Sequence, residues 1–362
     1  MNKPIGLYIH VPFCLSKCPY CDFYSLANSF EYKEEYTKAV IRNLDVYRNI
    51  AFDTVYFGGG TPILLANNIC EILDCISDRI TKNAEITVEA NPCSTSFDAL
   101  CSLKQSGVNR MSFGLQSGND NELKALGRKH NQNEGASAVL QAEKAGIKNI
   151  SADIMLGIPF QTEKSLDNTL SYMANLPLNH ISAYMLKIES GTPFAENSVS
   201  PADEESMSDF YLKTVDFLKE KGFLQYEISN FSKKGYESRH NLKYWRCEEY
   251  VGIGPSAHSY YNDKRFAVNR NLLDFIQRPI QNTVITDENV GGFDEWAMLK
   301  LRLSEGIDFK TAKNRYNISA EQIIDRCKLI PKEYIEISEN GIRLTKKGFL
   351  VSNAIIGIVS DI

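Results

Sequence analysis

The chain has 362 residues, of which 43% are hydrophobic and 23% are charged, and its formal net charge is −5. This length accommodates one large domain and a smaller one. The acidity argues against a dedicated nucleic-acid binder. No apolar run approaches the ~20 residues of a membrane-spanning helix. The nine cysteines are an odd number and no secretory signal opens the chain, so we expect free thiols in a reducing cytoplasm and not a disulfide framework.

Short β-branched runs alternate with longer amphipathic stretches in the first half of the chain. The predicted strands are Gly6–Val11, Thr54–Phe57, Glu85–Glu89, Arg110–Leu115, Ile150–Leu156 and His180–Leu186. The predicted helices between them are Glu31–Arg48, Ala66–Arg79, Asp98–Ser106, Glu134–Ala145 and Glu163–Leu176. Because such alternation builds a parallel sheet, the sequence predicts an α/β fold, a partial (β/α)6 barrel whose ligands gather at the carboxyl ends of the strands.

The rest of the chain has a different pattern. A helix over Ala202–Lys221 and a strand-like run at residues 224–231 precede a C-terminal stretch of three helices, a hairpin and a last helix. These are Phe293–Leu303, Phe309–Tyr316, Ala320–Leu329, a hairpin that turns at Asn340-Gly341, and Lys346–Ile356. We predict a barrel over residues 1–230, a connecting segment over 231–286 and a small α+β winged-helix-like domain over 287–362. The acidity favours a structural cap over DNA binding for this last domain.

Three cysteines lie in one short loop after the first predicted strand. Cys14, Cys18 and Cys21 have the spacing C-x3-C-x2-C, and thiolate is a soft ligand suited to iron–sulfur clusters. Three thiolates on a four-iron cluster leave one iron without a protein ligand, which is a place for chemistry. The alternative is zinc, which usually takes four protein ligands in paired arms, but the chain has no second C-x2-C and its other cysteines are scattered.

Glycines and polar residues stand at the ends of the next strands. The run GGGTP, with Gly59, Gly60 and Thr61, lets the backbone approach a ligand closely, although alone it is also an ordinary tight turn. Glu89 ends the third strand, where a carboxylate is as often a helix cap or an ion pair as a ligand contact. Gln116 ends the fourth strand.

Further candidates follow from the chemistry of single side chains. Arg128 can recognise a carboxylate with two hydrogen bonds, or it is a solvated helical arginine. Asp153 lies inside an apolar strand, where an unpaired charge is costly, which favours a ligand contact. Tyr8 and His10 share one face of the first strand, either as cavity residues or as a satisfied core pair.

The runs YIHVPFC and CPYC, which end at Cys14 and Cys21, resemble the cluster loop of the radical S-adenosyl-L-methionine (SAM) superfamily. More narrowly, they resemble the branch that contains the oxygen-independent coproporphyrinogen III oxidases. The resemblance implies a [4Fe–4S] cluster on the three cysteines, with SAM chelating the fourth iron. It also implies a set of SAM contacts: Tyr8, Tyr20, Gly59, Gly60, Thr61, Glu89, Gln116, Arg128 and Asp153. In this superfamily an electron from the cluster cleaves SAM to a 5′-deoxyadenosyl radical.

Two departures separate the chain from the oxidases of this branch. The oxidases carry a further cysteine two positions after the third, where this chain has Phe23. They also have a longer segment before the cluster loop. The run HNLKYW, which starts at His240, instead resembles the H-N-x-x-Y-W motif of the HemW family of heme chaperones.

The motif HNLKYW is chemically suited to heme. Imidazole is a common axial ligand of heme iron and aromatic rings pack on a porphyrin face, so His240 with Tyr244 and Trp245 is the predicted heme site. The alternative is a satisfied polar corner under the barrel. His258 and Cys247 are reserve candidates for the axial ligand.

The leading hypothesis is a heme chaperone that binds heme and transfers it to an acceptor protein, with the cluster and SAM serving structure, dimerisation or a regulatory step. The alternative is a radical SAM enzyme that acts on a tetrapyrrole, such as an oxygen-independent coproporphyrinogen III oxidase. DNA binding has little support. The predicted cofactors are a [4Fe–4S] cluster, SAM and heme. The identity of the acceptor, a homodimer and a peripheral membrane contact through the acceptor stay open.

Overall fold

The computed structural model describes residues 3–27, 29–288 and 290–361. Its strands are β1 (Ile5–Val11), β2 (Phe13–Cys14), β3 (Leu26–Ala27), β4 (Phe52–Gly59), β5 (Ile80–Ala90), β6 (Arg110–Gln116), β7 (Asn149–Leu156), β8 (His180–Met185), β9 (Leu224–Glu227), β10 (Asn230–Ser232), β11 (Tyr250–Ile253), β12 (His258–Tyr261), β13 (Lys264–Val268), β14 (Thr283–Asp287), β15 (Ile307–Asp308), β16 (Ile335–Ile337) and β17 (Gly341–Leu344). Its α-helices are α1 (Lys33–Leu44), α2 (Ala66–Cys75), α3 (Phe97–Gln105), α4 (Asp120–Ala125), α5 (Gln132–Lys144), α6 (Glu163–Ala174), α7 (Pro193–Glu196), α8 (Glu204–Glu220), α9 (Arg239–Trp245), α10 (Leu272–Gln277), α11 (Phe293–Lys300), α12 (Phe309–Tyr316), α13 (Ala320–Cys327), α14 (Lys346–Leu350) and α15 (Ser352–Ser360).

Twelve strands form one large open sheet, in the order β14-β13-β12-β11-β1-β4-β5-β6-β7-β8-β10-β9. Pairing is parallel from β11 through β1 to β8. Six of these parallel strands, β1 and β4 to β8, overlap the six that the sequence predicts. The prediction of an α/β fold built as a partial (β/α)6 barrel is therefore confirmed.

The connecting segment contributes to the same sheet. β11 pairs in parallel with β1, and β12, β13 and β14 extend the sheet by antiparallel pairing. β11 is not among the predicted strands, because a run of four residues that includes a glycine shows no periodicity. The regional boundaries at residues 230 and 286 remain predictions.

Alternate residues of the parallel strands face opposite sides of the sheet. In β6, Met111 and Phe113 are fully buried in the apolar core. Arg110 and Ser112 lie on the other face, where both act on Asp153 of β7. The helix-facing side of the barrel is therefore apolar, and the interior is polar.

Most of the helices begin where a side chain caps them. Asn131 and Glu134 form a capping box at the start of α5, and the Thr162 hydroxyl accepts from the Ser165 N–H at the start of α6. The predicted helix over residues 31–48 is shorter in the structure, because α1 ends at Leu44 and a 3₁₀ turn follows it. Capping residues therefore predict where a helix begins more accurately than the apolar periodicity predicts where it ends.

The C-terminal part contains the three helices and the hairpin that the sequence predicts, but the structure adds β15 before α12 and divides the last predicted helix into α14 and α15. Its small sheet has the order β15-β17-β16. The hairpin turn lies at Glu339-Asn340, because Ser338 N donates to Gly341 O at 2.9 Å. The predicted turn at Asn340-Gly341 is thus wrong by one residue. A Cβ on Gly341 would lie 2.1 Å from Ile307 O, so this glycine allows β17 to approach β15.

One apolar core joins the C-terminal part to the barrel. Trp296 of α11 and Ile307 of β15 belong to the same buried cluster as Leu7 of β1 and Phe113 of β6. Among the described helices, none combines the length and the apolar character needed to cross a bilayer.

Candidate functional site

The three motif cysteines lie in the loop after β1, at the carboxyl edge of the parallel strands. Cys14 is buried in β2, whereas Cys18 and Cys21 are half-buried and joined by a turn in which Cys21 N donates to Cys18 O at 3.1 Å. All three are free thiols. Burial raises the pKa of the Cys14 and Cys21 thiols, and the Phe23 N–H acts in the opposite direction on the pKa of Cys21. Cys14 and Cys21 thus favour the protonated thiol until a cationic centre binds them.

Two cluster-loop sulfurs are contacted by side chains from elsewhere in the barrel. Cys14 Sγ lies 3.5 Å from Thr61 Oγ1, and Arg128 Nη1 donates to Cys18 Sγ at 3.5 Å. In the described part of the chain, no three His, Cys, Asp or Glu side chains converge as ligands of a single metal ion. The loop fits an iron–sulfur cluster through its donor set, which is three soft thiols with hydrogen-bond donors on their sulfurs.

The glycine run after β4 packs against the cluster loop. Thr61 N donates to Phe13 O at 2.7 Å. A Cβ on Gly60 would lie 2.6 Å from Phe13 O, and Gly59 has φ +113° with its Cβ position 2.6 Å from the His10 ring. Both glycines are therefore required by close packing, and they leave bare backbone at the edge of the barrel.

Glu89 lies at the end of β5 and joins two neighbouring strands. Its Oε1 accepts from Tyr56 Oη at 2.7 Å, and its Oε2 accepts from Gly59 N at 3.1 Å. Burial raises the pKa of the carboxyl to about 7, and the nearby Asp153 charge acts in the same direction. The group therefore titrates near neutrality, and a bound cation would shift it to the carboxylate form.

Gln116 and Arg128 share the space above Gly114 in β6. Arg128 Nη2 donates to Gly114 O at 2.6 Å, and a Cβ on Gly114 would lie 2.9 Å from Gln116 Nε2. Gln116 has φ +69°, an uncommon conformation for a side-chain-bearing residue. Arg128 Nε is buried and has no hydrogen-bond partner among the described residues, so the guanidinium keeps one donor available.

The conformation of this corner depends on Glu122, which the sequence analysis does not single out. The Glu122 carboxylate is buried and accepts from Ser117 Oγ at 2.5 Å, Ser165 Oγ at 2.5 Å and Gln161 Nε2 at 3.2 Å. It lies on α4, between Gln116 and Arg128 in the chain. In sequence it resembles any solvated helical glutamate, so no signal identifies it.

Asp153 faces the barrel interior from β7. The Ser182 and Ser112 side chains hydrogen-bond to it, while burial raises the pKa of its carboxyl. Beneath it lies Arg110, which is 2% exposed and whose Nε and Nη1 have no hydrogen-bond partner among the described residues. Arg110 is not predictable from the sequence, since an arginine at the start of a strand usually reaches solvent.

Tyr8 and His10 lie on the interior face of β1. Tyr8 Oη is 3.0 Å from His10 Nδ1, and His10 Nε2 is 2.8 Å from Tyr24 O. Because a carbonyl only accepts, Nε2 carries the proton and Nδ1 accepts from Tyr8. Burial lowers the pKa of His10 to about 4, so the ring is neutral and rigidly held.

Tyr20 lies in the cluster loop and packs on the loop that follows β8. Its ring centroid is 6.1 Å from that of Phe194, and Phe194 N donates to Pro19 O at 3.0 Å. Burial raises the pKa of the Tyr20 phenol. The loop after β8 therefore closes one side of the cluster loop.

His240 is buried at the other end of the barrel and both of its ring nitrogens have partners. Its Nδ1 is 2.8 Å from Thr54 Oγ1 and its Nε2 is 2.7 Å from Tyr244 Oη. The Glu85 carboxylate accepts from the backbone N–H of His240 at 3.1 Å and so caps α9. Burial lowers the pKa of the ring to about 3. This geometry is the satisfied polar corner, and iron ligation by His240 would require one of these hydrogen bonds to break.

The residues that follow His240 in α9, and Cys247 just after the helix, are also buried or half-buried at this end of the barrel. Lys243 is buried and pairs with Asp53 at 2.9 Å and with Glu248 at 3.3 Å. Trp245 Nε1 is buried without a hydrogen-bond partner in the described part of the chain. Cys247 is buried in an apolar cluster, and burial raises the pKa of its thiol to about 11.

The structure brings most of the predicted residues together at the carboxyl edge of the barrel, where β1, β4, β5, β6 and β7 end. These are Cys14, Cys18, Tyr20, Cys21, Gly59, Gly60, Thr61, Glu89, Gln116 and Arg128. Tyr8 and Asp153 lie deeper in the barrel, three residues before the ends of β1 and β7. It does not bring His240 to this edge, because Thr54 and Glu85 lie several residues before the ends of their strands.

Comparison with known families identifies two regions of the chain. Residues 8–173 match the radical SAM superfamily, and residues 294–351 match the HemN C-terminal domain. Among solved structures, coproporphyrinogen III oxidase (HemN) from Escherichia coli has a TM-score of 0.83 and 19% sequence identity, covering 99% of this chain and 91% of that chain. At 19% identity this similarity shows that the two chains share a fold.

Several curated relatives are similar over nearly the whole chain, and each is named heme chaperone HemW. The relative from Buchnera aphidicola subsp. Schizaphis graminum is 34% identical and covers 99% of both chains. The relative from Bacillus subtilis is 34% identical over 97% of both chains. The relative from Escherichia coli is 37% identical over 70% of both chains.

Proposed function

The chain belongs to the HemW family within the radical SAM superfamily, and on that premise we propose that it binds heme and transfers it to an acceptor protein. The observation that carries this proposal is the full-length similarity to relatives named heme chaperone HemW. The residue Phe23 supports it as well, since the oxidases of the branch have a cysteine at that position.

The proposed cofactor site uses the carboxyl edge of the barrel. Cys14, Cys18 and Cys21 would hold a [4Fe–4S] cluster, which when bound supplies an electron for the cleavage of SAM. Arg128 would bind the carboxylate of SAM, because its guanidinium has an unpaired buried donor. Glu89 would bind the amine of SAM, because it is a buried acidic group near the glycine run.

The remaining predicted contacts would orient SAM around these two charges. Gly59 and Gly60 offer backbone without side chains, and Asp153 offers a carboxylate for ribose hydroxyls. Tyr8, Tyr20, Thr61 and Gln116 would line the same cavity. We also propose that the protein works in the cytoplasm, with a protein acceptor and without nucleic acid.

Hemin titration of the cluster-reconstituted protein in the absence of oxygen tests the function. We expect saturation near one heme per chain in the visible absorbance, and passage of the bound heme to an apo-hemoprotein on mixing. In the same preparation, coproporphyrinogen III with SAM and a reductant should give no decarboxylated product. Weak, unsaturable heme binding together with turnover of coproporphyrinogen III would contradict the proposal.

The second candidate is a radical SAM enzyme that acts on a tetrapyrrole. The observation in its favour is that the proposed SAM contacts lie towards one edge of the barrel, and that Tyr184 of the neighbouring strand β8 is 40% exposed there. Release of 5′-deoxyadenosine that depends on an added tetrapyrrole would support this candidate. Release that is absent, or that does not change with the tetrapyrrole, would count against it.

A further inference from the structure

The histidines of this chain differ sharply in their accessibility. Four of the five, His10, His130, His180 and His240, are buried, with 1–4% of their surface exposed, and each has a ring nitrogen in a hydrogen bond. His258 is exposed, and no described residue hydrogen-bonds to its ring. An axial ligand must offer a free imidazole nitrogen to iron, and His258 offers one without any rearrangement.

His258 begins β12 and lies close to two arginines. It pairs with Ala267 across the ladder to β13. Burial of part of its ring and the charges of Arg265 and Arg270 lower the pKa of its imidazole. The ring is therefore neutral at pH 7, which is the form that coordinates a metal.

The two arginines near His258 differ in their partners. Arg265 pairs with Glu295 at 2.6 Å and is already neutralised. Arg270 is exposed, donates from Nη2 to the carbonyl of Asp22 at 3.0 Å, and has its guanidinium carbon 6.0 Å from the Tyr24 ring centroid. No described carboxylate lies within ion-pair distance of it. Arg270 is thus a cation held against the cluster loop and available to an outside carboxylate.

A groove runs from Arg270 along the segment that follows the cluster loop. Its volume is about 310 Å³, and its walls are both polar and apolar, with Ser29 and Asn271 beside Tyr24, Leu26, Tyr32 and Leu273. Phe23, which lies between the two cluster-loop residues that contact Arg270, is 67% exposed. The rings of Phe23 and Tyr24 and the aliphatic side chains of the groove lie near Arg270, whose charge acts on the neutral His258 imidazole. This combination suits a flat macrocycle that carries carboxylates and a metal.

We propose that heme binds beside the cluster loop, with His258 as the axial ligand of its iron, a propionate on Arg270 and the macrocycle against Phe23 and the walls of the groove. This inference rests on the proposed function, since it assumes that heme is the ligand. It places the heme at the exposed surface, from which an acceptor protein can take it directly.

Hemin titrations of the cluster-reconstituted protein test the axial ligand. We expect His258→Ala to lose the wild-type Soret and low-temperature EPR signature and to bind hemin at least about tenfold more weakly. His240→Gln, which keeps hydrogen-bonding capacity in the polar corner, should bind as the wild type does. Wild-type spectra and affinity in His258→Ala would overturn this site while leaving the proposed function intact. Failure of the wild type to bind hemin saturably would overturn the function itself.

Hemin dimethyl ester, which has no free carboxylates, tests the propionate contact. Arg270→Gln should weaken hemin binding about tenfold and should leave binding of the dimethyl ester unchanged. Arg278→Gln is the matched control, because Arg278 is exposed in the same region but already pairs with Asp274 at 2.5 Å. Equal effects of Arg270→Gln on both porphyrins, or an effect on neither, would overturn the assignment of Arg270.

Discussion

Arg128 joins two parts of the candidate site that are far apart in the sequence. Its guanidinium donates to Gly114 O and to Cys18 Sγ, and so links β6 to the cluster loop. A donor on a cluster sulfur withdraws charge from the thiolate and favours the reduced cluster. The same side chain therefore affects the redox chemistry as well as the proposed binding of SAM.

We predict that Arg128→Gln lowers the reduction potential of the reconstituted cluster by about 40 mV, which corresponds to the loss of about 1 kcal/mol. The reduction potential of Arg128→Lys should lie between those of the wild type and Arg128→Gln, since lysine retains the charge but not the planar donor. EPR-monitored redox titration without SAM measures the potential. Lys124→Gln removes an exposed charge from the neighbouring helix α4 and should change nothing. Unchanged potentials in Arg128→Gln would mean that the contact has no influence on the cluster.

Glu89 is expected to make stability depend on pH. Its pKa rises from the usual 4.5 to about 7 because of burial, so between these values the folded chain binds a proton that the unfolded chain has lost. The contribution of the protonated Glu89 carboxyl to the stability of the fold is fully present below about pH 4.5 and is lost as the pH rises through about 7. We predict that the free energy of unfolding of the cofactor-free wild type falls by up to roughly 3 kcal/mol over this range relative to Glu89→Gln.

Urea unfolding of both proteins at a series of pH values measures this difference. Glu227 has a pKa that burial raises to about 7 as well, so Glu227→Gln serves as a second comparison with the same sign. A parallel pH profile for the wild type and Glu89→Gln would show that the Glu89 carboxyl is not buried as the structure describes.

At the residue scale, the sequence predicts side chains whose chemistry is unusual for their position. Cysteines at a ligand spacing and an aspartate in an apolar strand are recognisable without coordinates. Glu122 and Arg110 are not recognisable in this way, because their importance depends on tertiary neighbours. Glu122 accepts from three donors, and Arg110 has two buried nitrogens without a partner among the described residues. His240 is the opposite case. The sequence predicts it as an iron ligand, but both of its ring nitrogens already have hydrogen-bond partners in the folded chain.

At the scale of elements, α9 closes the end of the barrel opposite the cysteines. The His240 ring is stacked on Tyr56 with centroids 5.1 Å apart, and the helix starts on the Glu85 carboxylate. Tyr56 in turn donates to Glu89. The Tyr8 ring also lies 6.4 Å from the His240 ring, centroid to centroid. The motif HNLKYW is therefore linked through two tyrosines to the candidate SAM site, although α9 lies at the other end of the strands.

We predict that His240→Ala lowers the free energy of unfolding by about 2–4 kcal/mol, because it opens a cavity and leaves the hydroxyls of Thr54 and Tyr244 unpaired. Urea denaturation followed by circular dichroism measures the loss. Arg246→Ala, at an exposed residue that directly follows α9, should cost no more than about 0.5 kcal/mol. A His240→Ala protein as stable as the wild type would mean that the ring is not a structural part of this corner.

Strands with a periodic apolar pattern are predictable, whereas short strands and turns are not. The β-branched runs predict the six long parallel strands, but the four-residue β11 exists because β1 offers it an open edge. The turn of the C-terminal hairpin was expected at an Asn-Gly pair, yet Gly341 is needed for the close approach of β17 to β15. In both cases a neighbouring element decides the structure, and a single-sequence pattern does not contain that neighbour.

At the scale of the whole molecule, the C-terminal domain covers one edge of the large sheet. β9 is the last strand on that side, and Ser304 N donates to Tyr226 O while Ile228 N donates to Arg302 O. Ser304 Oγ also donates to Gln225 O at 2.8 Å. Because an uncovered edge invites pairing with other chains, this short contact both protects the sheet and connects the two parts.

The two tryptophans of the chain make this connection measurable. Trp245 ends α9 at the closed end of the barrel, and Trp296 is buried in α11 of the C-terminal part. Both parts share one apolar core, so single-tryptophan versions of the wild type, Trp245→Phe and Trp296→Phe, should unfold in urea with the same midpoint.

We predict that Ser304→Pro separates the two transitions, with Trp296 reporting unfolding at a lower urea concentration than Trp245. Proline removes the N–H that donates to Tyr226 O, and it restricts the residue before it. Ser304→Ala is the matched control, because it loses only the hydroxyl contact and keeps the backbone bond, and it should leave the midpoints together. If Ser304→Pro lowers both midpoints equally, the domain contact is not held at this edge and the apolar core alone couples the two parts.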